Sequence, residues 1–286
     1  MCLDANNEPL RDIILWLDKR TVDPNGAMPA KNMMLFKVAG MEPTAKVVYA
    51  ASVGNWIMRH EPEIWARTAK YVMLPTYLNY KLTGNLIDSA SNQIGHIPFD
   101  YKNRRWMKPG SLTRCFCDVP NEKLCDLVPS GTVIGTVTDE VCALTGIPAG
   151  LPLISTGSDK GCETLGLAVV DSDKASISLG TTATIQFSTT EYVEPQQFLP
   201  AYPGVLNDHY NPEIEIYRGL WLLSWFVKEF GTADAIDAKE KGIAPEALLD
   251  ERIRELYGEE SRRFTLIRTG KLLERVRKYN PEARDL

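Results

Sequence analysis

The chain is poor in histidine, has no long apolar run and carries no excess of basic charge. Three of its 286 residues are histidines, and no motif surrounds His60, His96 or His209. The longest apolar run, 220–227, is interrupted by Ser224 and is too short to span a bilayer. The formal net charge is −5 at pH 7. We therefore expect no membrane span, no nucleic-acid partner and structural roles for the histidines.

The six cysteines follow no usual zinc-binding spacing, and few histidines are present to complete such a site. Cys115-Phe116-Cys117 together with Cys125 leaves a metal site open, but the sequence favours reduced thiols in a cytosolic protein. The first residues also lack the charged start, apolar core and small-residue cleavage site of a signal peptide. We predict a cytoplasmic protein whose side chains bind no metal.

The residue pattern changes near position 150, and 286 residues are enough for two domains or one large domain. Before this point the pattern is mostly helical. One helix is predicted from Pro62 to about Ala69, with the proline where its missing N–H is harmless. Another is predicted from Pro75 to Gly84, since a glycine commonly ends a helix. Beyond this point alternating β patterns dominate. Periodicity alone indicates an α/β or α+β fold.

A third helix is predicted to begin at Thr138, whose hydroxyl can cap it, and to end at Gly146. Its apolar residues Val141 and Leu144 are expected to face inward. Loops are predicted at 25–31, 100–110 and 198–212. The segment 219–231 is apolar almost all round and predicts a buried helix.

The segment from 153 to 187 carries the clearest chemical pattern. A strand at 153–155 leads into a loop with Asp159, followed by a short helix and a turn at 171–174. Two strands then follow, at 176–179 and 183–187, with Gly180-Thr181-Thr182 between them. This order places a carboxylate and a small-residue hairpin tip on neighbouring loops.

Both features suit phosphoryl transfer. A Gly-Thr-Thr tip offers free backbone N–H groups and hydroxyls to a phosphate. A nearby carboxylate such as Asp159 can take the proton of an attacking hydroxyl. Together they indicate a kinase for a small hydroxylated substrate. The alternative is structural, because Gly, Ser and Asp favour turns wherever they occur.

Four segments in sequence order extend this pattern. The first is Trp16-Leu17-Asp18-Lys19-Arg20. The second is Leu82-Thr83-Gly84 followed by Asp88-Ser89-Ala90-Ser91-Asn92. The third is Thr145-Gly146-Ile147-Pro148-Ala149-Gly150, and the fourth is Gly157-Ser158-Asp159. Between about residues 3 and 231 the chain resembles the FGGY family of carbohydrate kinases, which includes glycerol kinase and xylulokinase.

The resemblance implies an α/β fold with two ribonuclease-H-like domains of the actin and hexokinase superfold, with the active site in the cleft. Residues 1–150 would be the remainder of the N-terminal, sugar-side domain. Residues 151–250 would begin the C-terminal domain, and 251–286 form a charged tail without a recognised motif. The family's first Asp-x-Gly-Thr hairpin and its glycine-rich adenine region have no counterpart here. We therefore expect both domains to be incomplete.

The resemblance also assigns roles to residues. Asp159 matches the family's catalytic base, and Gly180, Thr181 and Thr182 match its second phosphate hairpin, implying ATP and Mg²⁺ as cofactors. Lys160 stands where relatives often have Gln or Asn in contact with substrate.

Three more residues match the sugar side of the family's site. Trp16 matches an aromatic residue of the sugar pocket in some members, although a core tryptophan is the structural alternative. Asp18 and Arg20 either contact substrate or pair with each other.

The function implied is ATP-dependent phosphorylation of a small ketose or polyol at a primary hydroxyl. The partner would be a small-molecule sugar or polyol, and the sequence leaves open whether the protein forms a homodimer. Two alternatives remain: an inactive fragment of such a kinase, and a non-catalytic nucleotide-binding protein of the actin-like superfold.

Overall fold

The computed structural model describes residues 1–15, 18–180 and 182–216, together with 219, 239, 240 and 242. The predicted helix at 219–231, apart from Gly219, and the charged tail at 251–286 lie outside the described residues. Two sets of residues pack as separate units. The first contains 1–177 and 184–214, and the second contains 178–183 and 215–286. The division into domains near residue 150 stays a prediction.

Helices and short strands alternate along the described residues. The helices are α1 (Ala30–Val38), α2 (Glu42–Ala51), α3 (Val53–His60), α4 (Pro62–Arg67), α5 (Leu74–Thr83), α6 (Asp139–Thr145) and α7 (Asp159–Gly166). The strands are β1 (Cys2–Leu3), β2 (Lys70–Tyr71), β3 (Ile87–Ser89), β4 (Phe99–Asp100), β5 (Arg105–Trp106), β6 (Asp126–Val128), β7 (Val133–Thr136), β8 (Pro152–Ile154), β9 (Ala175–Leu179), β10 (Ala183–Phe187), β11 (Tyr202–Pro203), β12 (Tyr210–Asn211) and β13 (Glu213–Ile216). Single 3₁₀ turns occur at Ala90–Asn92, Leu112–Phe116 and Asn121–Lys123.

The strands pair in small sheets. β3 and β6 are parallel, whereas β1–β2, β4–β5, β7–β8 and β11–β12 are antiparallel. One three-stranded sheet has the order β13–β10–β9. In the described part of the chain, no helix is both long enough and apolar enough to cross a membrane.

Helix ends follow the local chemistry of the sequence. Gly84 ends α5 and Gly146 ends α6, and both adopt left-handed backbone angles with φ of 79° and 77°. The Thr138 side chain accepts a hydrogen bond from the Val141 amide and caps α6. The predictions of α4, α5 and α6 are therefore confirmed.

The predicted inward orientation of Leu144 is wrong, because this side chain is 78% exposed. Within this seven-residue helix Val141 and Cys142 are half-buried, whereas Leu144 lies on the exposed side.

The predicted loops contain more order than expected. Helix α1 already begins at Ala30. β5 lies inside 100–110, while β11 and β12 lie inside 198–212. These strands are two residues long, so they show no readable alternation. Tertiary contacts hold them, as where the Phe99 and Trp106 rings meet edge to face at 5.5 Å.

The core of the first unit is divided among several buried clusters. One contains Ile57, Tyr71 and Val119, and another contains Phe36, Ala45 and Phe116. In the second cluster the Phe36 ring lies 5.2 Å from Phe116 and 5.8 Å from Phe198, centroid to centroid. Each cluster joins residues that are far apart in sequence, which fixes the loops between the helices.

Candidate active site

Asp159 is the first residue of α7 and is exposed. The buried Ser158 before it caps the helix, and its Oγ accepts a hydrogen bond from the Gly161 amide at 3.1 Å. Asp159 Oδ1 accepts from the Lys160 amide at 2.8 Å. The strand, loop and helix predicted around this residue are confirmed as β8 and α7. An exposed carboxylate thus stands at the start of a capped helix.

Two distant segments hold this loop in place. The Ser158 amide donates to the Ser91 carbonyl at 3.0 Å, and Ser91 Oγ donates to the Gly204 carbonyl at 2.7 Å. A Cβ atom on Gly157 would lie 2.7 Å from Val205 Cγ2, so glycine is required for this close approach. The motif at 88–92 and the motif at 157–159, which are separate in sequence, therefore meet in the structure.

Asp88 organises the 3₁₀ turn that carries Ser91. Its buried carboxylate accepts hydrogen bonds from Thr76 Oγ1 at 2.7 Å, from Gln93 Nε2 at 3.2 Å and from the Ser89 amide at 2.7 Å. Buried carboxylates are tolerated when donors surround them in this way. The segment at 88–92 therefore supports the Asp159 loop, a role the sequence did not suggest for Asp88.

Lys160 forms an ion pair with Glu163, which lies on the same helix. Its Nζ lies 2.9 Å from Glu163 Oε2, and the pair is partly exposed. An exposed pair of this kind contributes little to stability. A substrate contact by Lys160 stays a prediction.

Asp18 and Arg20 pair with each other, which is the structural alternative left open by the sequence. Arg20 Nε donates to Asp18 Oδ1 at 2.9 Å, and Nη2 donates to Oδ2 at 2.7 Å. These bonds hold the pKa of the Asp18 carboxyl below its ordinary value. The guanidinium also lies 4.4 Å from the ring centroid of Trp56. Their substrate role stays a prediction, and Trp16 lies outside the described residues.

In the described part of the chain, no hydrogen bond or ion pair joins the Asp18–Arg20 pair to Asp159. The structure thus brings the segment at 88–92 to Asp159, whereas the Asp18–Arg20 pair has no such bond to Asp159 among the described residues.

The hairpin tip belongs to the second unit. Its flanking strands are confirmed as β9 and β10. The Gly180 amide donates to the Thr182 carbonyl at 3.0 Å, while Thr181 lies outside the described residues. Among the described residues, a Cβ atom on Gly180 would approach only the Thr182 carbonyl oxygen, at 3.9 Å. Packing among the described residues therefore does not demand glycine at this position.

All six cysteines are free thiols. Residues 1–15, 18–180 and 182–216 hold no group of three or more His, Cys, Asp or Glu side chains placed to bind a metal ion. Burial raises the pKa of Cys117, and it raises that of Cys125 to about 12, with the Asp88 carboxylate adding to the effect.

We expect these thiols to differ in reactivity, because the thiolate is the reactive form. Iodoacetamide at mildly alkaline pH should label the exposed Cys162 first and the buried Cys117 and Cys125 last. Peptide mass spectrometry of timed samples measures the order. Labelling in urea is the control, since unfolding should bring all the rates close together. Equal native rates at Cys125 and Cys162 would contradict the buried placement of Cys125.

Comparison with known proteins decides the family. Residues 1–166 match the model of the FGGY family of carbohydrate kinases, N-terminal domain. The match covers more than half of the chain. The chain belongs to the FGGY family of carbohydrate kinases.

Curated relatives of this FGGY chain include sugar kinases. It is 32% identical over 177 residues to the uncharacterized sugar kinase YgcE of Escherichia coli K12, which covers 62% of this chain and 36% of the relative. It is 28% identical over 236 residues to the xylulose kinase of the same strain, covering 81% and 47%. The chain thus spans between a third and a half of the length of these relatives.

Solved FGGY structures share the fold. The xylulose kinase of Lactobacillus acidophilus superposes with a TM-score of 0.65 at 19% identity, over 87% of this chain and 48% of that one. The glycerol kinase of Plasmodium falciparum, solved with ADP, has a TM-score of 0.57 at 17% identity, over 81% and 48%. The predicted α/β class and actin and hexokinase superfold are confirmed.

Proposed function

We propose that this protein transfers the γ-phosphoryl group of ATP to a primary hydroxyl of a small ketose or polyol in the cytoplasm. The observation that carries the proposal is the exposed Asp159 carboxylate, held at the start of α7 by contacts from two distant segments in an FGGY chain. The xylulose kinases among its relatives favour a ketose.

In the proposed reaction Asp159 accepts the proton of the attacking hydroxyl. The substrate oxygen forms a bond to the γ-phosphorus, and the bond from that phosphorus to the β,γ-bridging oxygen breaks, leaving ADP. The carboxylate then returns the proton to solvent. Because Asp159 is exposed at the start of α7, a bound sugar can reach it without movement of the core.

The hairpin at 180–182 would hold the ATP phosphates through backbone N–H groups. A Cβ atom built on Gly180 would meet no side chain within 4 Å among the described residues beyond its chain neighbours, so a phosphate can come close to the backbone there. Mg²⁺, when bound, would offset the phosphate charge, and the phosphates themselves would supply most of its ligands.

On the sugar side, we assign hydroxyl contacts to Asp18, Arg20, Trp16 and Lys160. The bidentate pair and the Trp56 ring restrain the Arg20 guanidinium, so its orientation is set before substrate arrives. A carboxylate that accepts and a guanidinium that donates would suit neighbouring hydroxyls of a polyol.

The decisive experiment is a substrate panel. The protein is incubated with ATP, Mg²⁺ and each of a set of ketoses, polyols and aldoses, and ADP release is followed by a coupled assay. We expect ADP release only with certain ketoses or polyols, and mass spectrometry should find their monophosphates. An analogue lacking the primary hydroxyl should give none. Absence of sugar-dependent ADP release across the panel would overturn the proposal.

Gly180→Val is expected to weaken ATP binding by about tenfold or more, because a branched side chain would obstruct the phosphates. Sugar binding and thermal stability should hardly change, since among the described residues the nearest atom to a Cβ at this position is the Thr182 carbonyl oxygen at 3.9 Å. Calorimetric titration with ATP and with sugar measures both affinities. Ser172→Val, in the exposed turn at 171–174, is the control for adding a branched apolar side chain at the surface. Equal loss of both affinities would contradict a phosphate role for the hairpin.

A further inference from the structure

Helix α7 is attached along its length by a buried hydrogen-bond network. Thr164 lies on this helix and is 2% exposed. Its Oγ1 donates to Gln186 Oε1 and lies 2.8 Å from Ser176 Oγ. The side chains of Ser176 and Gln186 are also buried, on β9 and β10. Buried hydrogen bonds therefore join the helix to the strands β9 and β10.

Gln186 is the centre of this network. Its Oε1 accepts from Thr164 Oγ1 and also from Asn211 Nδ2 at 3.2 Å. Its Nε2 donates to Glu213 Oε2 at 2.8 Å. One side-chain amide thereby links α7 to β10, β12 and β13. In a water-poor interior such bonds are strong, and a group that loses its partner is left costly and unpaired.

This attachment matters for Asp159 because, among the described residues, its carboxylate is held by a single hydrogen bond. It accepts a hydrogen bond from the adjacent Lys160 amide, which moves with the helix. Its position therefore follows the helix backbone. Ser158 ties the start of the helix to Ser91, and Thr164 ties a point six residues further on, roughly 9 Å along the axis. Two attachments fix both the position of α7 and its rotation about the helix axis, whereas one attachment would fix only the position.

We propose that Gln186 and Thr164 are positioning residues for Asp159: they hold α7 at the rotation that directs the carboxylate toward the substrate hydroxyl. The inference rests on the proposed kinase function. Reacting groups are sensitive to displacement, and a shift of about 1 Å can lower a rate ~10²-fold. Loss of the network should therefore lower turnover more than it lowers substrate affinity.

The test compares variants of nearly equal volume. Thr164→Val removes the hydroxyl and keeps the shape, Thr164→Ser restores the hydroxyl, and Gln186→Met removes all three bonds of the amide. Thr68→Val is the matched control, because Thr68 is also buried and its hydroxyl bonds to the Ile64 carbonyl, away from α7. For each variant kcat, both KM values, the melting temperature and amide hydrogen exchange are measured on the full chain.

We expect Thr164→Val and Gln186→Met to lower kcat by about tenfold or more with both KM values within about twofold of the wild type. Thr164→Ser should restore kcat. The Gly161 and Cys162 amides, which bond to Ser158 in the first turn, should exchange faster in the two defective variants only. Thr68→Val should change the melting temperature alone.

Two results would overturn the inference. One is an unchanged kcat for Thr164→Val and Gln186→Met, calculated per molecule of folded enzyme, with only the melting temperature lowered. The other is unchanged exchange at Gly161 and Cys162. If the wild-type protein shows no sugar-dependent ADP release, the proposed function fails instead. The exchange comparison then decides by itself whether the network holds α7.

Discussion

Asp159→Asn is expected to lower kcat by ~10²–10⁴-fold, the usual contribution of a general base. Asparagine has nearly the same shape and can still accept the Lys160 amide at its side-chain oxygen. It cannot take up the proton of the attacking hydroxyl. Sugar affinity should therefore stay close to the wild-type value while turnover is lost. A coupled assay of ADP release gives kcat, and calorimetric titration gives the sugar affinity.

The chain supplies a matched control in Asp139→Asn. Asp139 is likewise the exposed first residue of a helix that begins after a hydroxyl cap, since Thr138 accepts from the Val141 amide. Both substitutions remove a negative charge from a helix start, which is worth about 0.3–1 kcal/mol of stability. Only Asp159→Asn should reduce turnover. Near wild-type turnover in that variant would remove Asp159 from the mechanism, and an equal loss in Asp139→Asn would indicate a general charge effect.

Phe36→Ala is expected to lower the free energy of unfolding by about 3–5 kcal/mol, as is typical for a fully buried aromatic side chain. Phe36 is 2% exposed, and its ring contacts Phe116 and Phe198. Alanine would leave a cavity where three distant parts of the chain meet. Since domains are stable by only ~5–15 kcal/mol, this one change could remove much of the total.

Urea unfolding followed by fluorescence and circular dichroism measures this loss. Met34→Ala is the control, because Met34 lies on the same helix and is 70% exposed. Its effect should stay within about 0.5 kcal/mol, as expected for a surface substitution. A similar loss in the two variants would mean that the Phe36 cluster does not carry the stability of this part of the unit.

Local chemistry made several elements readable from the sequence. Pro75 lies in the first turn of α5 and Gly84 ends this helix, while Thr138 caps the start of α6 and Gly146 ends it. These limits were readable because capping and backbone preference act within one or two turns. The strand, loop and helix around Asp159 and the hairpin strands β9 and β10 were readable for the same reason. Family membership also followed from short motifs in a fixed order.

Contacts between distant residues had no such local signal. Ser91 reaches Gly204 across 113 positions, and Gln186 gathers Thr164, Asn211 and Glu213 from separate elements. The strands β5, β11 and β12 are two residues long and form only because their partners are near. Leu144 was misplaced because burial depends on what packs against a helix as well as on its own pattern.

The sequence by itself therefore determined the family, the helix ends and the candidate base, since each depends on residues within a few positions of one another. Only the tertiary structure decided that Asp88 and Ser91 support the Asp159 loop, that Asp18 pairs with Arg20, and that Gln186 ties α7 to its sheet. Those contacts depend on how the chain is brought together in space, because a hydroxyl, amide or carboxylate finds its partner only after distant segments have packed.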